Sequence, residues 1–309
     1  MLRVKGIAMI IIGSMLWGLT GPIMEWILGV TNISVPFLLT VRLTLSGILL
    51  LSILLMNKKN IFAVWKSPSS RIQLIIFSLI GILGLQYSFM ASIDESNSIF
   101  ATLFQFSAPI IIVIYVSLTG KEWPPRNQVI GIIGTLIGLF LLLTNGSIDN
   151  LLVSKKAIII GIGLGLAYAF YTLYPARLMK EWGILMILGW GMVIGGIIVG
   201  AAIQVWNTDE WVDLAQTDVA LMTIIYIILG TIAYFLFLSS LKFISPVETS
   251  ILSSVEPLTV MVVSILWFGT TLTSVQLLGV FLMLTFVTWL SIGDRKRLKS
   301  VKKTTELRI

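Results

Sequence analysis

FQFSAPIIIVIYVSL (residues 104–118) and LSSVEPLTVMVVSIL (residues 252–266) decide how this chain folds. Laid over each other at an offset of 148 residues, they bring Pro109 onto Pro257 and Leu118 onto Leu266. The same offset lays QVIGIIGTL (128–136) over QLLGVFLML (276–284), pairing Gln128 with Gln276 and Gly131 with Gly279. It also pairs Gly47 with Gly195 and Ala91 with Ser239. At a slightly larger offset, LWGLT (16–20) sits over AYAFYT (167–172). Apolar helices match one another easily. Matched prolines and glycines carry more weight, because each answers a specific backbone need.

Outward from these stretches the chain is apolar almost throughout. Of its 309 residues 57% are hydrophobic and 11% charged, with a mean hydropathy of +1.01. Globular domains carry about a quarter charged residues, so the bilayer is the solvent that suits this chain. A helix needs ~20 apolar residues to cross it. Ten stretches qualify: 7–29, 34–56, 71–93, 97–118, 127–144, 157–179, 183–205, 218–241, 247–268 and 273–292. The first reads as a retained span rather than a cleaved leader, being too long and lacking a small-residue cleavage motif. The expectation is an all-α integral membrane protein of ten transmembrane helices in two five-helix repeats, 1–145 and 157–295, followed by a basic cytoplasmic tail at 296–309. Five is odd, so the second copy enters the membrane inverted. Many secondary transporters obtain two exchangeable conformations from such a repeat.

Charge sets the orientation. With the N-terminus in the cytoplasm, eighteen Lys and Arg fall in inner segments, including Arg3, Lys58, Lys66, Arg71, Arg126, Arg177 and seven in the tail. The outer segments hold only Lys155 and Lys156. A missed span would scramble that split. It also explains the net charge of +7 by topology, without nucleic acid. Trp26, Trp206, Trp211 and Trp267 lie near outer ends and Trp65, Trp123, Trp182 and Trp289 near inner ends, as interfacial belts require. Trp17 and Trp190 lie well inside spans.

Several chemistries are excluded. The chain has no Cys and no His, which removes disulfides, thiolate metal sites, cysteine nucleophiles and the commonest general base. GIGLG at 161–165 sits inside a span with no strand before it, so it is not a phosphate loop. No Walker A motif is present, so ATP does not drive the protein directly. No cofactor or metal is called for.

SMLWGLT in the first span, the prolines of the fourth and ninth, VEPLTVMVVSILWFG (255–269) and QLLGVFLMLTFV (276–287) together resemble the drug/metabolite transporter superfamily, nearest its EamA-like (RhaT-like) permeases. The resemblance covers essentially the whole chain. It departs after the ninth span, where Gly269-Thr270-Thr271 lacks the Glu of Gly120-Lys121-Glu122. It implies a central cavity lined by the first, third and fourth helices of each half. It also implies a permease that works by alternating access, with no fixed substrate.

Ionisable groups inside a bilayer are costly and are functional candidates by default. Glu256 lies nine residues into its span, ~13 Å deep, just before Pro257. Proline frees a backbone carbonyl one turn earlier. A carboxylate there is a candidate proton or cation site; the plainer alternative is a hydrogen bond to a neighbouring helix. Arg42, ~12 Å into the second span, is the only cation at mid-depth. It reads as the partner of a carboxylate such as Glu256 in a structural or gating pair, or as an attractor for an anionic solute. Glu25, beside Trp26, reads as solvated.

Trp17, Tyr168 and Tyr171 hold related places in the first helix of each half, Gln86, Tyr87 and Tyr234 in the third, and Gln105 in the fourth. Such groups bind a small amphipathic solute, or else serve as interhelical glue. The expected function is export of a metabolite, most simply an amino acid. Its partners are the solute, the lipid bilayer and protons as candidate coupling ion. The rivals are a proton-coupled importer of a sugar or quaternary amine, and a non-transporting sensor or scaffold. The sequence does not choose between a monomer and a homodimer.

Overall fold

The computed structural model describes residues 2–120, 123–147, 152–240, 243–244, 252–253 and 255–289. The tail at 296–309, Lys121 and Glu122, and most of 247–254 lie outside these. The described residues form α1 (Leu2–Val30), α2 (Val35–Met56), α3 (Pro68–Glu95), α4 (Ser98–Gln105), α5 (Ala108–Gly120), α6 (Arg126–Thr144), α7 (Lys155–Leu173), α8 (Ala176–Trp182), α9 (Ile184–Ala202), α10 (Glu210–Leu214), α11 (Thr217–Ser240), α12 (Val255–Phe268) and α13 (Ser274–Trp289). Six stretches among them are long and apolar enough to cross a membrane: α1, α2, α3, α4 with α5, α9 and α11. Shorter apolar helices run over Gln128–Thr144, Val255–Phe268 and Ser274–Trp289.

The helices begin where the sequence offers a cap. The side chains of Ser34, Ser67, Asn97 and Ser154 accept from Phe37, Ser70, Phe100 and Ala157 amides, satisfying donors that α2, α3, α4 and α7 leave open. Proline follows the cap at the start of α2 and α3, where its missing N–H costs nothing.

Three local features depart from the ten-span reading. The fourth stretch is not continuous: α4 ends at Gln105, Phe106 and Ser107 turn, and α5 resumes just before Pro109. The sixth stops at Leu173, and α8 starts after Pro175. Within α3, residues Phe77–Leu83 form a π-helical segment, whose extra residues per turn rotate the face presented beyond it.

The packing fixes which ends lie together. At the start of α2, Asn32 N–H donates to Asp213 at 3.0 Å and Ser34 N–H to Glu210 at 2.6 Å. Both acceptors belong to the connection before α11. At the other end of α2, the Ile61 carbonyl accepts from Trp190 Nε1 at 2.7 Å, and Ser70 Oγ accepts from Trp182 Nε1 at 3.0 Å. Connections 57–67 and 206–217 therefore sit at opposite ends of a helix about 33 Å long. Trp190 is anchored to the 57–67 connection, and is not the mid-span residue its number suggests.

α2 crosses α9 closely, because a Cβ on Gly47 would lie 2.8 Å from the Gly189 carbonyl. α6 and α13 meet at Gly138 and Gly279 in the same manner. One buried cluster joins α1, α2, α3, α9 and α11; a second joins α4, α6, α7, α12 and α13. Phe89 and Tyr171 touch both.

Candidate functional site

Between the two clusters lies a pocket lined by Trp17, Thr20, Arg42, Leu85, Gln86, Phe89, Gln105, Tyr168, Tyr171, Tyr234 and Glu256. Room for water centres inside amounts to about 20 Å³, enough for a water or so and no solute. The pocket would have to widen to admit a solute.

Backbone irregularities and close contacts place these groups. A Cβ on Gly18 would lie 2.7 Å from the Glu256 carbonyl, so α1 rests on the first turn of α12, and Trp17 and Thr20 flank the contact. A Cβ on Gly165 would lie 2.8 Å from Ser107 Oγ and 3.1 Å from Ile111, so α7 rests on the break between α4 and α5. These contacts pair Gly18 with Gly165, an offset of 147, where the sequence alignment of the first helices suggested a larger one. The break leaves Gln105 at the end of α4. From there its Nε2 donates to Glu256 Oε1 at 3.4 Å.

The second chain of polar contacts joins the halves. Arg42 Nη1 donates to Gln86 Oε1 at 2.7 Å, and Gln86 Nε2 donates to the Tyr234 hydroxyl at 3.0 Å. Tyr171 lines the same pocket. Trp17 meets Tyr234 edge-on at 4.5 Å between ring centres. The guanidinium of Arg42 also lies 4.6 Å from the ring centre of Tyr226, whose hydroxyl is turned to Met24 Sδ. Arg42 and Glu256 are 5% and 6% exposed. Burial at this depth is tolerated because each keeps a hydrogen-bond partner.

Eight of the nine residues singled out from the sequence line this pocket. Tyr87 does not. It is 47% exposed on the outer face of α3, since adjacent helical residues lie about 100° apart and Gln86 takes the inner direction. Arg42 and Glu256 share the pocket without pairing: each is engaged by a glutamine. Glu25 is not simply solvated, because Ser98 N–H donates to it at 2.8 Å at the start of α4. Thr20, Leu85 and Phe89 line the pocket without having been singled out. Helical spacing from Trp17 and Gln86 points to Thr20 and Phe89; Leu85 carries no polar signal.

Helices that bury polar groups around a central pocket and turn apolar residues outward fit an integral membrane protein of the transporter class. Comparison with known proteins narrows this. Residues 4–144 and 155–292 each match the EamA-like transporter family, and the chain belongs to that family. It is a multi-pass cell-membrane transporter, not an enzyme. It is 33% identical to the uncharacterized inner membrane transporter YicL of Salmonella typhimurium over 298 residues, covering 96% of this chain and 98% of that one. The uncharacterized transporter YwfM of Bacillus subtilis is 26% identical, covering 77% and 81%. Protein PecM of Dickeya dadantii is 28% identical, covering 63% and 76%. One solved crystal structure shares the fold at a TM-score of 0.58 and 13% identity, covering 95% of this chain and 98% of that one.

Proposed function

We propose that the chain is a secondary carrier that exports a small metabolite, an amino acid or a related compound, by alternating access. Its frame would be ten crossings in two inverted five-helix copies, 1–145 and 157–295, with both termini and the tail at 296–309 in the cytoplasm. One observation carries the reading. Ten polar or aromatic groups from seven helices of both halves converge on a single pocket. Rocking one half against the other would open such a pocket to either face.

Further support for the inverted frame comes from the two family matches, the matched seats of Gly18 and Gly165, and the opposite positions of 57–67 and 206–217. The Lys and Arg split supports cytoplasmic termini. Glu256 is the carboxylate best placed to couple protons, since it borders the pocket at a helix start opened by Pro257.

Proteoliposomes loaded with a radiolabelled amino-acid panel test the carrier. Efflux of at least one solute, altered by a pH gradient, is expected; failure of every solute to move or exchange sinks the reading. The chain lacks cysteine, so single-cysteine variants at Lys59 and Thr208 report sidedness cleanly. They should label from opposite faces. Labelling from one face would remove the inverted frame.

A further inference from the structure

Arg42 poses a charge problem. It is buried, yet it faces no carboxylate among the described residues. Gln86 offers it a neutral amide oxygen and Tyr226 a ring face. Both ease the charge without cancelling it. Glu256, the carboxylate that shares the pocket, is engaged from α4 by Gln105. A buried cation without an anion is costly in a medium of low dielectric. Guanidinium carries five donors in a planar fork suited to carboxylate, and the contact to Gln86 occupies one of them.

A glycine lies beside that fork. A Cβ on Gly230 of α11 would lie 3.6 Å from Arg42 Nη2 and 3.9 Å from Thr20 Cγ2. The glycine leaves a niche of about a methyl's room there, which a branched side chain would more than fill, and which widens with the pocket. Thr20 turns its hydroxyl back to the Trp17 carbonyl at 2.6 Å, so its methyl lines the niche. Cation at one end, apolar walls at the sides: an oxyanion seated there meets a guanidinium that little water screens.

We infer that Arg42 Nη2, between Thr20 and Gly230, is the subsite for a carboxylate on the transported solute. The remainder of the solute lies against Trp17, Phe89, Tyr168 and Tyr234 once the pocket widens. This rests on the carrier reading and narrows it to carboxylate-bearing solutes. Arg42 then acts as a solute ligand and not as half of a gating ion pair.

Thermal-shift measurements on the purified full chain test it with matched pairs: 3-phenylpropionate against 3-phenylpropionamide, and L-leucine against L-leucinamide. At millimolar concentration the carboxylate of at least one pair should stabilise the protein, and its amide should not. Arg42→Gln should weaken that carboxylate about tenfold to a hundredfold, Arg42→Lys less, and Gly230→Val should block it. Chloride and inorganic phosphate serve as the simple-anion controls. No difference within either pair, a difference that survives Arg42→Gln, or equal stabilisation by chloride overturns the proposal. Counterflow separates the two readings. If solutes without a carboxylate exchange equally well, the carrier stands and the subsite falls; if carboxylates bind but nothing moves, the reverse holds.

Discussion

The two halves meet in two different ways, and the contrast is instructive. At the crossing of α2 with α9, equivalent helices touch through small residues on both sides: Gly47 against Gly189 and Val193, Gly195 against Leu43. At the pocket, equivalent positions carry unlike chemistry. At the offset of 148, Gln86 answers to Tyr234, Arg42 to Trp190 and Glu256 to Ala108. Gln86 and Tyr234 even bond each other across the middle, yet one is an amide and the other a phenol. On the proposed two-repeat reading, the copies would keep a common frame where a lost glycine would force backbones apart, and would differ in the pocket, where a side chain need only suit its neighbours.

The largest expected effects therefore sit in the pocket. Glu256→Gln keeps the acceptor for Gln105 and removes the titrating group. Drive by a pH gradient should vanish while solute exchange continues, as read in proteoliposomes. Unchanged pH dependence would take Glu256 out of the coupling. Next in size is a pair of neighbours. Gln86→Leu strips Arg42 and Tyr234 of their shared partner, and transport should fall about tenfold to a hundredfold, since an orphaned charged donor costs about 1.5–3 kcal/mol. Tyr87→Leu, one residue on, should stay within about twofold, because surface changes are worth about 0.5 kcal/mol or less.

That pair also marks how far the sequence could be read. The offset of 148, the matched prolines and the Lys and Arg split are legible because they are properties of the chain itself. Which face of α3 turns inward is not. The helix is apolar all round, and its π-helical segment over Phe77–Leu83 shifts the register without a signature residue. Pro109 announces an irregularity, but only packing decides that α4 stops at Gln105 and delivers it to Glu256. Arg42 was legible as a buried charge in need of a partner. That a glutamine 44 residues away would answer it is a tertiary fact.

In the frame the effects should be moderate and unequal in a telling way. Gly18→Ala drives a methyl to 2.7 Å from a backbone carbonyl, which cannot rotate aside. Its equivalent, Gly165→Ala, meets the Ser107 hydroxyl and the Ile111 side-chain end, which can. Gly18→Ala should destabilise by about 1–3 kcal/mol in detergent unfolding, and Gly165→Ala by clearly less. Equal costs would mean that the two seats are not shaped as described.

At the rim the halves also touch through Lys156 at the start of α7 and Glu95 at the end of α3. Unlike the pocket, where Arg42 and Glu256 are each engaged by a glutamine, this contact joins opposite charges directly, and it lies in water. The Glu95 carboxylate, by hydrogen bond and by charge, raises the Lys156 pKa above its ordinary 10.5. A raised folded-state value means that, with the Glu95 carboxylate ionised, the pair favours the folded protein below pH 10.5 and loses that contribution as pH climbs through the raised value. Exposure decides the size. Screening by water and salt leaves such pairs with little to contribute. Lys156→Gln should therefore leave unfolding at neutral pH unchanged within error, at low and high salt alike. A salt-dependent loss at neutral pH would show that the rim, and not only the pocket, holds the halves in register.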